Sequence, residues 1–362
     1  MQNILAYIKK KPLTILLLAF LLAIIAEWQH WGMIWVFGLS ALGVIPLAAF
    51  IGESTEVLAV YTGPKIGGLL NATLGNAAEL IITLIAINAG LLELVKASIT
   101  GSILGNLLLV MGIAMIAGGL KNGLQTFDRR QISNHSILLL LSVVALIIPS
   151  LFYPGIGDPG SIEVEALSIG VAIVMIVLYV LGLIFSLKFA RSPIAPPAEQ
   201  MGHNAPHWSK TKAIIVLAVA TWGVVIASEL LVGAVEEVVV QFGISEFFLG
   251  IILIPIVGNV AEHLVAVTVA YRNQMELSVE IAVSSSLQIA LFVAPLLVFI
   301  SLAMGNPLTL VFNVFELIAL AAAILITALV SIDGESNWLE GAALLAVYII
   351  LGISFFLLPN GG

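Results

Sequence analysis

The chain has 362 residues, of which 61% are hydrophobic and 9% charged, against roughly 45–50% and about 25% in an ordinary soluble domain. That composition excludes a soluble protein and indicates a polytopic helical membrane protein. The net charge of −8 (13 Lys+Arg, 21 Asp+Glu) leaves no basic excess for nucleic acid, and the lack of cysteine excludes disulfides and thiolate metal sites.

A transmembrane helix needs about 20 apolar residues. Apolar runs between polar or Gly/Pro punctuation predict eleven spans, near 12–27, 33–62, 66–88, 92–119, 132–152, 162–187, 212–241, 245–270, 275–302, 309–331 and 338–358. Lys9–Lys11 followed by the run Leu13–Ala26 has a signal-peptide flavour, but no small-residue cleavage site follows, so a retained helix is expected. With a cytoplasmic N-terminus, the inner loops collect twelve of the thirteen basic residues, and Lys96 is the exception. The segments expected are residues 1–32 (N-terminus and first helix), 33–187 (first repeat), 188–211 (cytoplasmic linker) and 212–362 (second repeat). The linker carries several prolines with His203 and His207, a pair better read as solvated than as metal ligands.

The two halves repeat. Gly75-Asn76-Ala77-Ala78-Glu79-Leu80 recurs as Gly258-Asn259-Val260-Ala261-Glu262-His263, an offset of 183 residues. Ser102 meets Ser285 at the same offset, and Glu56 and Glu237 precede the two motifs by similar distances. The motifs fall on spans three and eight; five intervening spans reverse the direction of crossing, which predicts two inverted-topology repeats meeting at polar residues in mid-membrane, the architecture of many secondary transporters.

An ionisable side chain inside a span costs at least about 2.5–3.5 kcal/mol and marks function by default. Glu53, Glu56, Glu79, Glu229, Glu236, Glu237, Glu262, Glu280 and Glu316 fall within or near the predicted spans, with almost no lysine or arginine at comparable depth. These carboxylates must be protonated or hold a cation. Asn76 with Glu79, and Asn259 with Glu262, lie i,i+3 on one helix face. Gly67, Gly68, Asn71, Gly75, Pro255 and Gly258 weaken the helices nearby and are expected to free carbonyl oxygens as further ligands. The metal-site candidates are therefore Glu79, Glu262, Asn76, Asn259, Gly75 and Gly258. Glu56, Glu237, Glu53, Glu229, Glu236 and His263 are candidates for proton coupling or support, and Ser102, Asn106, Ser285 and Gln288 for surrounding the carboxylates. Glu93, Glu246, Glu276 and Glu340 lie at span ends and read as solvated.

Hard oxygen donors suit Ca²⁺, with Mn²⁺ or other divalents open and sodium an alternative. One divalent cation or two protons would neutralise Glu79 and Glu262 together, which predicts exchange of the cation for protons by alternating access, with those ions as substrates and no cofactor.

With the Asn71–Ile82 run, Gly258–His263, Ser102–Asn106 and Ser284–Phe292 in view, the sequence resembles the cation/proton exchanger (CAX) family of Ca²⁺/H⁺ antiporters. The resemblance covers about residues 45–302. It implies one leading helix plus two inverted five-helix repeats, cation binding at Glu79 and Glu262 aided by backbone carbonyls, and no enzymatic activity. Many members carry an acid-rich central linker; here only Glu199 lies there, so a linker role in collecting cations is not implied. A Na⁺/Ca²⁺ exchanger is the nearest alternative, but its usual Gly-x-Ser-x-Pro-Glu pattern is absent; a passive channel and an intramembrane enzyme lack a charged ring and a catalytic motif respectively. The lipid bilayer is the surroundings, a homo-oligomer is left open, and the short linkers point to a bacterial or archaeal plasma membrane.

Overall fold

The computed structural model describes residues 12–188 and 208–358, so most of the predicted linker, including His203, His207 and Glu199, lies outside the described residues. Within them, the apolar runs become α1 (Pro12–Trp28), α2 (Met33–Leu74), α3 (Ala77–Asn88), α4 (Leu92–Asn122), α5 (Arg129–Phe152), α6 (Ile162–Lys188), α7 (Lys210–Phe242), α8 (Glu246–Tyr271), α9 (Met275–Met304), α10 (Val314–Val330) and α11 (Trp338–Leu357). Eight of the described segments are long and apolar enough to cross a membrane, and α1, α3 and α10 are shorter apolar helices. α2 contains the second crossing and the first arm of the third. It bends at Gly63 (φ 81°, ψ 170°), where the following Pro64 disfavours helix and only glycine takes positive φ without strain.

The predicted third span is thus interrupted. Gly75 ends α2 with its N–H on the Asn71 carbonyl, and Asn76 (φ −94°, ψ 21°) starts α3. α3 alone covers about 18 Å, so residues 64–74 complete the crossing. In the second repeat the helix stays continuous through Gly258, and the irregularity falls earlier, as a π-turn at Leu249–Leu253. Pro255 has no N–H for the Ile251 carbonyl; that oxygen packs over Gly101, where a Cβ would come within 2.1 Å of it. The expectation that this carbonyl becomes a cation ligand is corrected: α4 covers it. Further π-turns, Gly105–Val110 in α4 and Ile289–Val293 in α9, occupy matching places in the two repeats.

The order of elements repeats after α6. α4 and α9 start 183 residues apart, at Leu92 and Met275, and each carries its π-turn in mid-helix. α4, α8 and α9 form the centre, with Ile103, Leu104, Leu107, Ile251, Leu287 and Ala290 fully buried. α4 and α11 touch at Gly112 and Gly341, where a Cβ on either glycine would lie within 3 Å of the other's carbonyl, the close approach that small residues give membrane helices. By contrast Ile173, Val174 and Leu181 of α6 and Ile349, Ile350 and Phe356 of α11 are exposed. With hydrocarbon as solvent such faces carry no penalty.

Two short strands, β1 (Gln125–Thr126) and β2 (Glu335–Ser336), pair antiparallel between the α4–α5 and α10–α11 turns. The same face of the molecule holds the α8–α9 turn, because Gln125 donates to the Ala270 carbonyl (3.0 Å) and to Asn273 (2.9 Å). This is called the ladder face below.

Candidate functional site

The interruption at Gly75-Asn76 and the packing of α8 beside it bring the two sequence motifs together. Gly75 faces Glu262 of the other repeat, and a Cβ there would lie 3.2 Å from Glu262 Oε1; a Cβ on Gly258 would lie 3.2 Å from Glu79 Cγ. Each glycine therefore makes room for the opposite repeat's carboxylate. Neither Gly75 nor Gly258 offers a side-chain ligand, and the space is their visible contribution.

Around the carboxylates run two hydrogen-bond clusters, one about Glu79 and one about Glu262. Asn259 Nδ2 donates to Glu79 Oε1 at 2.8 Å and also lies 3.3 Å from Ser102 Oγ and 3.1 Å from the Pro255 carbonyl. Ser285 Oγ donates to Glu262 Oε2 at 2.7 Å and accepts from Asn106 Nδ2 at 3.1 Å. Asn76 Nδ2 donates to Gln288 Oε1 at 3.0 Å, while its Oδ1 lies 3.5 Å from Ser285 Oγ. Glu79, Glu262, Asn76, Asn259, Ser102, Asn106, Ser285 and Gln288 all belong to these clusters, and each cluster crosses between the repeats, through Asn259 to Glu79 and Ser102 in one and through Asn106 to Ser285 and Asn76 to Gln288 in the other.

The two carboxylates are not in equivalent surroundings. Glu79 is buried and its Oε2 has no hydrogen-bond partner. Glu262 lines a cavity of about 590 Å³ with Glu53, Glu56, Asn71, Ser285 and Gln288. Arg272 and Gln274 also line it; they belong to the α8–α9 turn, so the cavity reaches Glu262 from the ladder face. Glu53 and Glu56 stand on its α2 wall. An unpartnered buried carboxylate oxygen is costly in a low-dielectric interior, and a proton or a cation would relieve it.

Other predicted residues fall elsewhere. Glu229, Glu236 and Glu237 on α7 are exposed and do not line this cavity, so their grouping with it is corrected: Glu229 lies just before the break at Ala234 and Glu236 and Glu237 just after it, toward the face opposite the ladder. His263 follows Glu262 around the helix and does not line the cavity; its Nε2 is buried without a hydrogen-bond partner. Glu316 is tied up structurally. It closes a capping box with Asn313 at the start of α10 and accepts from Thr100 Oγ1 at 3.0 Å. Glu246, expected to be solvated, accepts the Leu94 N–H at 3.0 Å and caps α4. Lys96, the one basic residue outside the predicted inner loops, donates to the Val311 carbonyl at 2.9 Å. Among the described residues no three His, Asp or Glu side chains converge as a metal cluster.

Sequence reasoning missed the device that anchors α8, the helix bearing Glu262. Gln125 and Asn122 cap its last carbonyls, at Ala270 and Tyr271, and Lys121 Nζ sits 3.7 Å from the centre of the Tyr271 ring. A run of Lys, Asn and Gln just after a span was the available signal, because such side chains satisfy orphan carbonyls at helix ends.

Comparison with known proteins agrees with this geometry. The chain is 44% identical to a Ca²⁺/H⁺ antiporter of Aphanothece halophytica, over 95% of this chain and 96% of that one. It is 46% identical to the Ca²⁺/H⁺ antiporter ChaA of Bacillus subtilis, over 93% and 96%. Among solved structures, YfkE superposes with a TM-score of 0.84 at 43% identity, covering 96% of this chain and 100% of that one. The H⁺/Ca²⁺ exchanger CAX (TM-score 0.71, 15% identity, 96% and 92% covered) and the sodium-calcium exchanger NCX_Mj (0.54, 18%, 87% and 96%) share the fold. The model of the sodium/calcium exchanger protein family matches residues 32–188 and 212–357, and the chain belongs to that family as an integral, multi-pass membrane protein with two inverted five-helix repeats behind one leading helix.

Proposed function

We propose that the protein is a secondary transporter that exchanges Ca²⁺ for protons across the membrane. The observation that carries this reading is the pair Glu79 and Glu262, one from each inverted repeat, each packed against the opposite repeat's motif glycine and each accepting a hydrogen bond, from Asn259 across the repeats and from Ser285. Two ionised carboxylates in low dielectric repel each other and lose their hydration. One divalent cation neutralises them, and so do two protons, so either load lets the site cross between faces while the doubly charged pair does not. Counter-transport follows from the charge balance. Relatives that align end to end bear the name Ca²⁺/H⁺ antiporter, which supports Ca²⁺ over sodium.

Specific roles follow from the chemistry of the donors. Glu79 and Glu262 carry the charge that either ion neutralises. Asn259 presents N–H to Glu79, and an N–H cannot ligate a cation. For Ca²⁺ to bind, the amide turns its Oδ1 inward, so hydrogen bond and cation are alternatives at that residue. Ser285 and Ser102 have hydroxyls that donate to a carboxylate or accept from an amide, and turn their lone pairs to a cation. Glu53 and Glu56 make the cavity wall attractive to cations arriving from the ladder face. We assign that face to the cytoplasm of a bacterial plasma membrane, because the basic loops gather there.

The test is ⁴⁵Ca²⁺ uptake into proteoliposomes under an imposed pH gradient, with a sodium gradient as control. Uptake driven by protons and lost in Glu79→Gln and Glu262→Gln is expected. Uptake driven by sodium, or persisting in both variants, would overturn the coupling ion or the site.

A further inference from the structure

The repeats predict a two-fold site, and two of its positions break the equivalence: Asn106, which donates to Ser285, corresponds to Ile289, and Gln288 has no polar counterpart. At the offset of 183 residues Asn76 corresponds to Asn259 and Ser102 to Ser285, but Gln288 corresponds to Gly105. The hydrogen bonds differ at that position. Asn259 gives its amide to the opposite repeat's carboxylate, Glu79 (2.8 Å), whereas Asn76 gives its amide to Gln288 (3.0 Å) and not to Glu262. Both Gln288 and Glu262 line the cavity, and Glu79 does not. The carboxylate facing the open cavity is thus the one whose partner amide has been drawn off.

In an inverted repeat, opening the other face exchanges the roles of the halves around the same site. Asn76 would then donate to Glu262, and Asn259 would be released from Glu79. Asn259 would find glycine where Asn76 now finds Gln288. The bond between Asn76 and Gln288 therefore belongs to the ladder-open state alone. We infer that Gln288 is a positioning residue that holds the Asn76 amide off Glu262 and biases the transporter toward the state open to the ladder face. The inference rests on the exchange reading for its purpose. A net hydrogen bond shifts such an equilibrium by roughly two- to tenfold.

The absence of native cysteine makes single-cysteine labelling direct. Leu277 lines the cavity near its mouth, and the probe is a polar maleimide reacting with Leu277→Cys in the purified full chain. Adding Gln288→Ala should slow labelling two- to tenfold, and adding it to a chain already carrying Asn76→Ala should change nothing, since the effect passes through that amide. Labelling at the parent rate in Gln288→Ala, or slowing that persists without Asn76, would overturn the inference. Gly105→Gln supplies the missing amide to the first repeat, and a Cβ at Gly105 meets no atom within 4 Å. It should also slow labelling, with Gly105→Ala as the unchanged control; should Gln288→Ala fail to fold, this pair decides, and equal rates in both would overturn the inference. Labelling needs no substrate. Wild-type protein that gives no proton-driven Ca²⁺ uptake would sink the exchange reading while leaving the labelling result standing.

Discussion

Glu79 and Glu262 occupy the same place in two copies of one motif, yet their surroundings differ. Glu79 is sealed, with one oxygen on Asn259 and the other unpartnered. Glu262 has Ser285 on one oxygen and an open cavity beside it. The difference teaches that a duplicated sequence needs no duplicated environment: access is granted to one half at a time, and that inequality is what a carrier requires and a channel lacks.

The largest effect expected on this comparison comes from abolishing both charges. Glu79→Gln and Glu262→Gln should each cut proton-driven ⁴⁵Ca²⁺ uptake by at least about 100-fold, since an amide can neither neutralise the cation nor release a proton, while size-exclusion profiles stay unchanged. Equal loss in both would show that the sealed and open carboxylates serve one cycle. Next, Gly258→Ala places a methyl 3.2 Å from Glu79 Cγ and Gly75→Ala places one 3.2 Å from Glu262 Oε1. Each should cost roughly tenfold in transport. The Gly75 methyl would also lie 2.7 Å from the Asn71 carbonyl, a backbone atom that cannot swing aside, so Gly75→Ala should be the more severe, measured as initial uptake rate.

A smaller asymmetry is expected from the amides. Asn259→Ala removes a charge-assisted hydrogen bond worth about 1.5–3 kcal/mol, and should alter apparent Ca²⁺ affinity about tenfold or more; Asn76→Ala, whose amide bonds Gln288, should alter it less. Titrating the ladder face sharpens the contrast further. Protons and Ca²⁺ compete for Glu262, which lines the cavity, so apparent Ca²⁺ affinity from that side should fall as pH falls, by up to about tenfold per unit for each competing proton. Glu262→Gln should flatten the profile. The smallest effect is structural. Gln125→Ala removes the shorter of two side-chain hydrogen bonds to the Ala270 carbonyl at the end of α8 and should cost about 1 kcal/mol, read as a fall of a few degrees in Tm with uptake largely kept.

Composition and hydropathy determined a great deal without any structure. Eleven spans were legible because hydrocarbon tolerates only closed hydrogen-bond patterns, and a helix long enough to cross leaves an unmistakable apolar run. The inverted repeat and its paired carboxylates were legible because Gly-Asn-x-Ala-Glu recurs at mid-span, where an acid is too costly to occur without function. Local sequence did not reveal where the third span breaks or that Glu246 caps α4. Both depend on what packs beside the chain. Spacing alone also grouped Glu229, Glu236 and Glu237 with Glu56, whereas only Glu56 stands on the cavity wall. Which carboxylate is open, which is sealed, and which amide serves which oxygen were decided by tertiary structure. Those properties arise from contacts between residues roughly 180 apart, set by how one repeat tilts against the other, and a helix's own sequence carries no record of that tilt.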